Sequence, residues 1–393
     1  MINAGSGKSV IDLNQGLLPI EDFEYVYDEL LCRVLILVQM ETFVFVSLDL
    51  TSLQDYAIES IKKEIQRNFS VDVEHIFISV THTFSAPHTR SKESLNVANP
   101  GVILKNNDFL KTLLKAVSAA MKLAINNIQP VYIEYTSGTI DTNINRDILT
   151  KDGYWIGRNS QGFSNKSVPI IKLFSENHKL LSIIYSIDVQ SSLVAHIDVK
   201  AVSSDLIGNI NKNIEKALDC TAIFLLGAAG DQVPKVASET FDSLEAEAMK
   251  VTNQLIANIE CCGVIVKDTI KIDTIVLKVK GQRIPKIKSL KATNKYSFIE
   301  WGEQTISVQL LRLGSIAIVM MKPELISITG EQIRQASPFD LTLIATMING
   351  GQKYMADERS YCRFTYEAMN SMFAKGSAEF VRDAIVEKLI EGM

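Results

Sequence analysis

Apolar, strand-like runs alternate with segments of helical periodicity along the chain, and this alternation limits the possible folds most strongly. Residues 75–80 and 222–226 are rich in β-branched and aromatic side chains, which is typical of buried strands. Capping residues and apolar spacing predict helices between such runs, from Asp108 to Asn126, from Ser204 or Asp205 to Ala217, and from Thr240 to Ile259. The sequence therefore predicts an α/β fold, with a mixed β-sheet core flanked by helices.

The last third of the chain continues this pattern. Residues 264–320 are predicted to be rich in strands, Pro323 and Glu324 are expected to open a helix, and residues 359–373 and 378–389 are expected to be helical. Residues 153–166 and 349–361 are rich in Gly, Asn, Ser, Lys and Arg, and we expect long loops there. Long loops in a compact chain are often functional.

The size of the chain suits a single compact body. With 393 residues and 47% hydrophobic content it can bury a large core. No internal repeat, low-complexity tract or clear linker divides it, so we expect one domain over residues 1–393. The N-terminus lacks the apolar segment of a signal peptide, and no uncharged apolar run reaches about 18 residues. A cytoplasmic location and no transmembrane segment are expected.

Charge and cysteine usage narrow the possible partners. The net charge of -5 argues against binding nucleic acid through its phosphates, which requires clustered cations. One basic stretch is interpreted as a half-exposed strand face, with a surface for anionic head groups as the alternative; it comprises Lys278, Lys280, Arg283, Lys286, Lys288, Lys291 and Lys295. The five cysteines show no metal-ligand spacing, so reduced thiols are expected.

The glycine-rich start of the chain imitates a nucleotide-binding motif. Gly5-Ser6-Gly7-Lys8-Ser9 is similar to the end of a phosphate-binding loop. The residue at the position of the first glycine of that motif is Ile2, and no strand can precede it. We therefore predict no nucleotide site here.

Two of the five histidines stand where apolar runs end. His82 follows the run at residues 76–80, and Pro87 prevents this strand from continuing. His196 closes a second apolar stretch, from residue 180 through residue 195. Histidines at strand ends are what a metal site assembled by an α/β fold would contain. Each histidine alone is also compatible with an ordinary core or loop position.

Several short motifs follow one another in an order known from one family. Thr81-His82-Thr83-Phe84-Ser85-Ala86-Pro87 is similar to its Thr-His-Thr-His-Ser-Gly/Ala-Pro segment. The further matches are Asn145-Arg146, His196 with Ser203-Ser204-Asp205, the loop Gly230-Asp231-Gln232-Val233-Pro234-Lys235, Lys322-Pro323-Glu324, and the tyrosine pair Tyr354 and Tyr366, twelve positions apart. In these motifs the sequence resembles the neutral/alkaline, non-lysosomal ceramidases and their shorter bacterial relatives. The fold expected from this resemblance is that of the ceramidase catalytic domain, without the C-terminal β-sandwich of full-length members.

The resemblance implies a zinc-dependent hydrolase of a carbon–nitrogen amide bond, acting on an N-acyl compound, a lipid amide or another small amide. Zn²⁺ accepts nitrogen and oxygen ligands, and at catalytic sites it keeps one position open for water. The implied roles are Zn²⁺ ligation by His82, His196, Glu324 and Tyr354, hydrogen bonding to the developing oxyanion by Tyr366, contact with a polar group of the substrate by Arg146, and support from behind by Gly230 and Asp231.

Two positions depart from the family's motifs. Phe84 stands where the family has a second histidine, and phenylalanine cannot carry a proton. Val233 replaces the serine of the glycine-aspartate loop. His88, six residues beyond His82, is a candidate replacement for the missing imidazole. The departures leave two alternatives open, namely a substrate other than ceramide, or a catalytically weakened or inactive binding or accessory protein.

Overall fold

The structure is a computed structural model that describes residues 1–13, 16–267, 269–286 and 289–392. The strands are β1 Ile2–Val10, β2 Tyr25–Val26, β3 Leu31–Val38, β4 Thr42–Leu48, β5 Ile76–Val80, β6 Gln129–Thr139, β7 Asn143–Thr150, β8 Gly153–Asn159, β9 Ser167–Ser175, β10 Leu180–Ile187, β11 Ala201–Val202, β12 Thr221–Leu226, β13 Gln232–Pro234, β14 Val264–Ile265, β15 Ile270–Gln282, β16 Glu300–Leu313, β17 Ile316–Met321, β18 Glu324–Leu325, β19 Leu341–Ala345 and β20 Tyr354–Met355. The helices are α1 Asp55–Asn68, α2 Lys92–Asn96, α3 Pro100–Asn126, α4 Val194–Ile197, α5 Asp205–Leu218, α6 Phe241–Glu260, α7 Ser327–Ala336, α8 Glu358–Arg363, α9 Tyr366–Met369 and α10 Ser377–Glu391.

Two mixed sheets form the centre of the molecule. Among the described strands, the larger sheet has the order β12-β10-β9-β6-β1-β3-β4-β5, with β14 paired to β6. The smaller sheet has the order β15-β16-β17-β19, in which β17 and β19 are parallel and the other pairs are antiparallel. A separate three-stranded sheet, β13-β7-β8, lies beside them. The predicted α/β fold with a mixed sheet is confirmed.

The two sheets are stacked between helices, which gives four layers. Along β3, Val34 and Ile36 pack with the core residues of α1, α3, α5 and α6, while Leu35 and Leu37 pack with the smaller sheet. This alternation follows from the two-residue period of a strand. The far face of the smaller sheet packs against α7 and α10, with Val319 in that cluster. In the smaller sheet β17 and β19 are therefore buried on both faces, whereas β15 and the first half of β16 are partly exposed.

The outer strands of the larger sheet are covered by side chains. Ser79 Oγ of β5 donates to the Phe224 carbonyl of β12 at 3.0 Å. Asn349 covers β5 further along, because its N–H donates to the Ile78 carbonyl at 2.8 Å and its Oδ1 accepts from the Ile78 N–H at 3.0 Å. Its Nδ2 also donates to the Ile76 carbonyl at 3.1 Å. Asn349 has φ 57°, a left-handed conformation that asparagine tolerates better than most residues.

The glycines near the N-terminus lie in β1, against α3. A Cβ on Gly5 would lie 2.1 Å from the Ala124 carbonyl oxygen, and a Cβ on Gly7 would lie 2.4 Å from that of Ala120. Backbone atoms of a packed helix cannot move aside easily. The two glycines therefore permit a close approach of helix and strand.

Most predicted elements agree with the structure, and five differ in their bounds or type. Thr240 and Ser243 form a capping box at the start of α6, as expected from Thr240. Helix α3 begins earlier than Asp108, because Asn99 caps it and Pro100 occupies its first turn. Glu324 lies in a short strand, not in a helix, and α7 begins only at Ser327. The expected helix at residues 359–373 is two short helices, α8 and α9, and the expected loops at 153–166 and 349–361 contain β8, β20 and the start of α8.

Other expectations also have structural counterparts. Lys278 and Lys280 of β15 form ion pairs with Glu303 and Glu300, each at 3.1 Å, on an exposed strand surface. Lys288 lies outside the described residues. All five cysteines are free thiols. Within the described part of the chain, no helix combines the length and apolar character needed to cross a membrane.

We predict that Gly5→Ala destabilises the protein by about 1–3 kcal/mol, since the added methyl group overlaps the backbone of α3. Chemical denaturation monitored by circular dichroism measures this change. Gly101→Ala is the matched control, because a Cβ there meets only the Asn99 side chain, at 3.3 Å, in the first turn of the same helix. Equal stability of the Gly5→Ala and Gly101→Ala variants would contradict the close approach.

Candidate active site

One pocket contains four of the residues singled out by the sequence motifs. It has a volume of about 430 Å³ and is lined by His82, Glu324, Tyr354 and Tyr366. Its other walls come from residues 51–55, 351–353 and nearby parts of the chain. The volume lies within the range of ordinary small-molecule sites, about 300–1,000 Å³. We treat this pocket as the candidate active site.

His82 is held in a fixed orientation at the end of β5. It is 6% exposed and has φ 57°, a left-handed conformation that costs a non-glycine residue about 1–2 kcal/mol. Its Nδ1 lies 2.7 Å from the Thr51 carbonyl oxygen, which can only accept a hydrogen bond. In the neutral ring Nδ1 therefore carries the proton, and Nε2 presents a lone pair. This buried Nε2 has no hydrogen-bond partner and lies 3.9 Å from Glu324 Oε1.

Glu324 and Tyr354 are brought together by a short parallel strand pair. In it Glu324 of β18 faces Tyr354 of β20, and the Glu324 N–H donates to the Lys353 carbonyl at 2.9 Å. Met347, Asn349 and Lys353, all in the segment that leads to β20, have positive φ angles of 54–57°. Left-handed residues of this kind persist where the surrounding structure determines the backbone, as it often does at functional sites.

Arg146 links the residues of the site through buried hydrogen bonds. It is buried, and its Nε donates to Glu367 Oε1 at 2.7 Å while its Nη1 donates to Gln190 Oε1 at 2.7 Å. Gln190 Nε2 in turn donates to Glu324 Oε1 at 2.7 Å. Burial alone would lower the pKa of Arg146, but the charges of the Glu367 and Glu324 carboxylates raise it well above its ordinary value. The guanidinium therefore stays charged, and its Nη2 lies 2.6 Å from Glu367 Oε1 as an ion pair without a well-aligned hydrogen bond.

The two tyrosines stack near this guanidinium. The rings of Tyr354 and Tyr366 are 5.8 Å apart in an edge-to-face arrangement, and the guanidinium carbon of Arg146 lies 5.3 Å and 5.6 Å from their centroids. Asn370 Nδ2 donates to the Tyr366 hydroxyl oxygen at 3.2 Å. Burial raises the pKa of both tyrosines, although Arg146 opposes the shift. Both phenols are therefore protonated at neutral pH unless another cation binds them.

Gly230 and Asp231 lie behind this group. The Gly230 N–H donates to the Leu325 carbonyl at 2.9 Å, and a Cβ on Gly230 would lie 3.3 Å from the Tyr354 ring. Asp231 accepts hydrogen bonds from the Ser327 N–H at 2.8 Å and from Asn145 Nδ2 at 2.8 Å. Burial raises the pKa of Asp231 to about 6, while the hydrogen bonds from Ser327 oppose the rise. The two residues join β7 and α7 to the strand that carries Glu324.

Two buried carboxyl groups, those of Glu367 and Asp147, lie behind Arg146. Glu367 Oε2 and Asp147 Oδ1 have no hydrogen-bond partner within the described residues. Two buried carboxyl groups that interact directly are not both ionised, because like charges repel strongly away from solvent. Burial, followed by the negative charges of Glu367 and Asp231, raises the pKa of Asp147 to about 10. Asp147 is therefore protonated at neutral pH.

Two predicted residues do not reach the pocket. His196 is exposed on the helical turn α4, because the Asp205 carboxylate accepts the Leu193 and Val194 N–H groups at 3.1 and 2.9 Å and starts the turn there. The expected strand end at His196 is thus a helix, and the structure does not bring His196 to His82. His88 lines a different depression, and its Nδ1 lies 2.9 Å from Glu21 Oε2.

The two departures from the family's motifs lie at the edge of the site. Phe84 is 38% exposed, and its ring meets the His82 ring edge to face at a centroid distance of 5.0 Å. Val233 pairs with Ile144 in the sheet formed by β13 and β7. Neither residue supplies a polar side-chain group to the pocket.

The implied zinc set of four ligands is therefore not assembled. Within the described ranges, no group of three or more His, Cys, Asp or Glu side chains is placed to hold a metal ion. Three of the four residues, His82, Glu324 and Tyr354, do line one pocket. A buried imidazole lone pair that faces a carboxylate without a proton or cation between them is unfavourable. This nitrogen and oxygen donor set remains chemically suited to Zn²⁺, which at catalytic sites takes about three protein ligands.

Gln190 and Glu367 are central to the site, although the motifs assigned them no role. Gln190 follows the end of β10 at Ile187 and is a buried polar residue after an apolar strand. A polar residue shortly after an apolar strand is visible in the sequence. Residues 180–195 were instead interpreted as one apolar stretch, so Gln190 was not singled out. The role of Glu367 depends on tertiary contact with Arg146, which local sequence does not reveal.

Comparison with known proteins identifies the fold. No family model and no curated protein matches the sequence. A crystal structure of neutral ceramidase from Pseudomonas aeruginosa matches with a TM-score of 0.77 and 14% identity, covering 99% of this chain and 74% of that protein. A structure described as a ceramidase complexed with C2 matches with a TM-score of 0.77 and 13% identity, over the same shares.

These matches define the class of the chain as a stacked-sheet α/β protein. More particularly, it has the fold of the neutral ceramidases, and the resemblance drawn from the motifs is confirmed at the level of fold. Identities this low establish the fold alone.

We predict that Asp147→Asn flattens the pH dependence of stability. In the unfolded chain Asp147 ionises near pH 4, whereas in the folded protein it stays protonated up to about pH 10. Its contribution to stability is therefore complete below pH 4 and is lost as the pH rises towards 10. An asparagine also offers a hydrogen-bond donor at this position but does not ionise. Urea unfolding midpoints at pH 5, 7 and 9 measure the difference in slope.

Asp152→Asn is the control, since Asp152 is exposed between β7 and β8 of the same hairpin. This variant is expected to retain the slope of the unmodified protein. If Asp147→Asn is strongly destabilised at each pH and the slope is unchanged, Asp147 is ionised in the folded state, and a protonated Asp147 is excluded.

Proposed function

We propose that the protein is a hydrolase that cleaves a carbon–nitrogen amide bond in the pocket formed by His82, Glu324, Tyr354 and Tyr366. The observation that carries the proposal is the buried, unpartnered Nε2 of His82, which faces Glu324 Oε1 at 3.9 Å beside two tyrosines. Buried polar groups without partners are rare in structural sites and recur where a ligand or reacting group binds. The neutral ceramidase fold supports an activity of this kind.

In this reaction a water molecule adds to the acyl carbon. The carbon–nitrogen bond breaks, the hydroxyl group stays with the acyl product, and the remaining proton goes to the amine nitrogen. Zn²⁺ held by His82, Glu324 and Tyr354 would supply a bound water that ionises near neutral pH. His82 is suited to hold such a group because its proton is fixed on Nδ1 by Thr51.

Tyr366 is the candidate donor to the developing oxyanion. It lines the pocket, it is protonated, and Asn370 Nδ2 already occupies an acceptor position of its hydroxyl oxygen. Its hydrogen therefore remains available for the substrate. A donor aimed at the developing charge is commonly worth about 10²–10³ in kcat.

Arg146 supports the reaction through other residues. A direct contact with the substrate was expected from the motif, but its donors are engaged with Glu367 and Gln190, and it does not line the pocket. We assign it the positioning of Glu324, which it orients through Gln190. Gly230 and Asp231 hold the same strand and the ring of Tyr354 from behind.

A second candidate function is a binding or accessory protein without catalytic activity. The exposure of His196 outside the pocket and the amide of Gln190 on Glu324 favour this alternative. Phe84 also supplies no proton carrier. The two candidates differ in a measurable way, because only the first predicts turnover that depends on Glu324 and Tyr366.

We predict that Glu324→Gln lowers amide hydrolysis by at least about 10³-fold and reduces the bound zinc, since the variant loses the carboxylate of the candidate donor set. Release of carboxylate from a panel of N-acyl substrates measures turnover, and elemental analysis of protein purified without chelators measures zinc per chain. Glu303→Gln, on the exposed surface of β16, is the control. Turnover without zinc, unaffected by Glu324→Gln, would exclude the proposed site.

We predict that Tyr366→Phe lowers kcat by about 10²-fold with little change in KM, because the hydroxyl acts on charge that develops after binding. Steady-state kinetics on the best substrate of the panel give both parameters. Tyr154→Phe, which removes a hydroxyl outside this pocket, is the matched control. An increase in KM at constant kcat would instead assign Tyr366 to substrate binding.

A further inference from the structure

The charges that line the candidate active site are not balanced. Among its described lining residues, the side chains with permanent charge are Asp55, Glu324 and Lys353. Asp55 forms an ion pair with Lys322 at 2.9 Å, and Glu324 accepts the amide of Gln190. Lys353 has no ion pair or side-chain hydrogen bond within the described part of the chain. The pocket therefore offers one unpaired ammonium group.

The backbone fixes the position of this lysine relative to the candidate catalytic residues. Lys353 directly precedes Tyr354, and its carbonyl oxygen accepts the Glu324 N–H at 2.9 Å. It also has φ 57°, the left-handed conformation that disfavours side chains other than glycine, asparagine and aspartate. This backbone position places the start of the Lys353 side chain beside the site where the scissile amide would lie.

The walls of the pocket are poorly suited to long hydrocarbon chains. Only Leu53, Met347 and Met372 among its described lining residues have aliphatic side chains, and most of the others are polar. A methylene group gains favourable free energy mainly when apolar surface covers it. A substrate with a short acyl chain and a charged or polar amine portion fits these walls better than a two-chain lipid.

We propose that the substrate is a small N-acylated amine that carries a carboxylate, as an N-acylated amino acid does, and that Lys353 binds this carboxylate. The inference rests on the proposed amide hydrolysis and names the substrate class of the same pocket. In such a compound only one carbon separates the carboxylate from the amide nitrogen. A group that binds this carboxylate must therefore lie beside Glu324 and Tyr354. Lys353 meets this condition because it directly precedes Tyr354 in the chain. Water adds to the acyl carbon, the carbon–nitrogen bond breaks, and the products are a short-chain carboxylate and the free amino acid.

The test compares N-hexanoylglycine with N-hexanoylethanolamine, which has the same acyl chain and an uncharged hydroxymethyl group in place of the carboxylate. The measured quantity is the ratio of their kcat/KM values, obtained from released hexanoate. We expect a ratio of about ten or more in the unmodified protein, and a fall of about tenfold in Lys353→Gln, the usual size for loss of one charge-assisted hydrogen bond. Lys353→Arg keeps the charge and is expected to keep most of the ratio.

Lys322→Gln is the matched control, since it removes a nearby positive charge that is already paired. It is expected to leave the ratio unchanged, and melting temperatures verify that each variant is folded. A ratio near one, or a ratio that Lys353→Gln does not alter, would overturn the substrate class and leave amide hydrolysis standing.

Absence of turnover on both compounds would instead remove the proposed function, and calorimetric binding then decides the role of Lys353. Tighter binding of N-hexanoylglycine than of N-hexanoylethanolamine, lost in Lys353→Gln, supports carboxylate recognition. Equal binding of the two compounds overturns it.

Discussion

The buried ion pair between Arg146 and Glu367 is the interaction on which the candidate site depends. A guanidinium below the surface requires partners for its donors, and Glu367 and Gln190 supply them. Through these contacts β7, the turn after β10, the strand pair of Glu324 and Tyr354, and helix α9 meet at one point. Removal of either charge would leave the other buried and uncompensated, so the positions of Glu324 and both tyrosines follow from this one pair.

The charge distribution around that pair explains two further features. Glu324, Glu367, Asp147 and Asp231 contribute four carboxyl groups near a single arginine, which is too much negative charge for a buried region. The proton retained by Asp147 removes one of these charges. Gln190 transmits the orientation of Arg146 to Glu324 without adding charge, because an amide donates at one end and accepts at the other. The region still carries more negative than positive charge, and Glu324 remains available to the pocket.

Sequence reasoning predicted the layers of the fold better than the composition of the site. Apolar periodicity, the helix start at Thr240 and the ordered motifs are local signals, and the elements they predict are present. His82 was found because β5 ends before it, whereas His196 was misplaced because Asp205, a residue further along the chain, turns its segment into a helix. Gln190, Glu367 and Asp147 have their roles through contacts between distant segments. Such contacts follow from the packed structure and have no local pattern.

Because of Asn349, the segment before Tyr354 has a second structural role, which is to cover the edge of β5. Its side chain and backbone occupy the hydrogen-bonding groups of β5 that would otherwise face outward. An uncovered strand edge invites pairing with another chain. Loop exchanges that alter residues 346–353 to change substrate preference would therefore also expose this edge and promote self-association. Engineering of the pocket is constrained by aggregation as much as by chemistry, and changes confined to residues 51–55 avoid that risk.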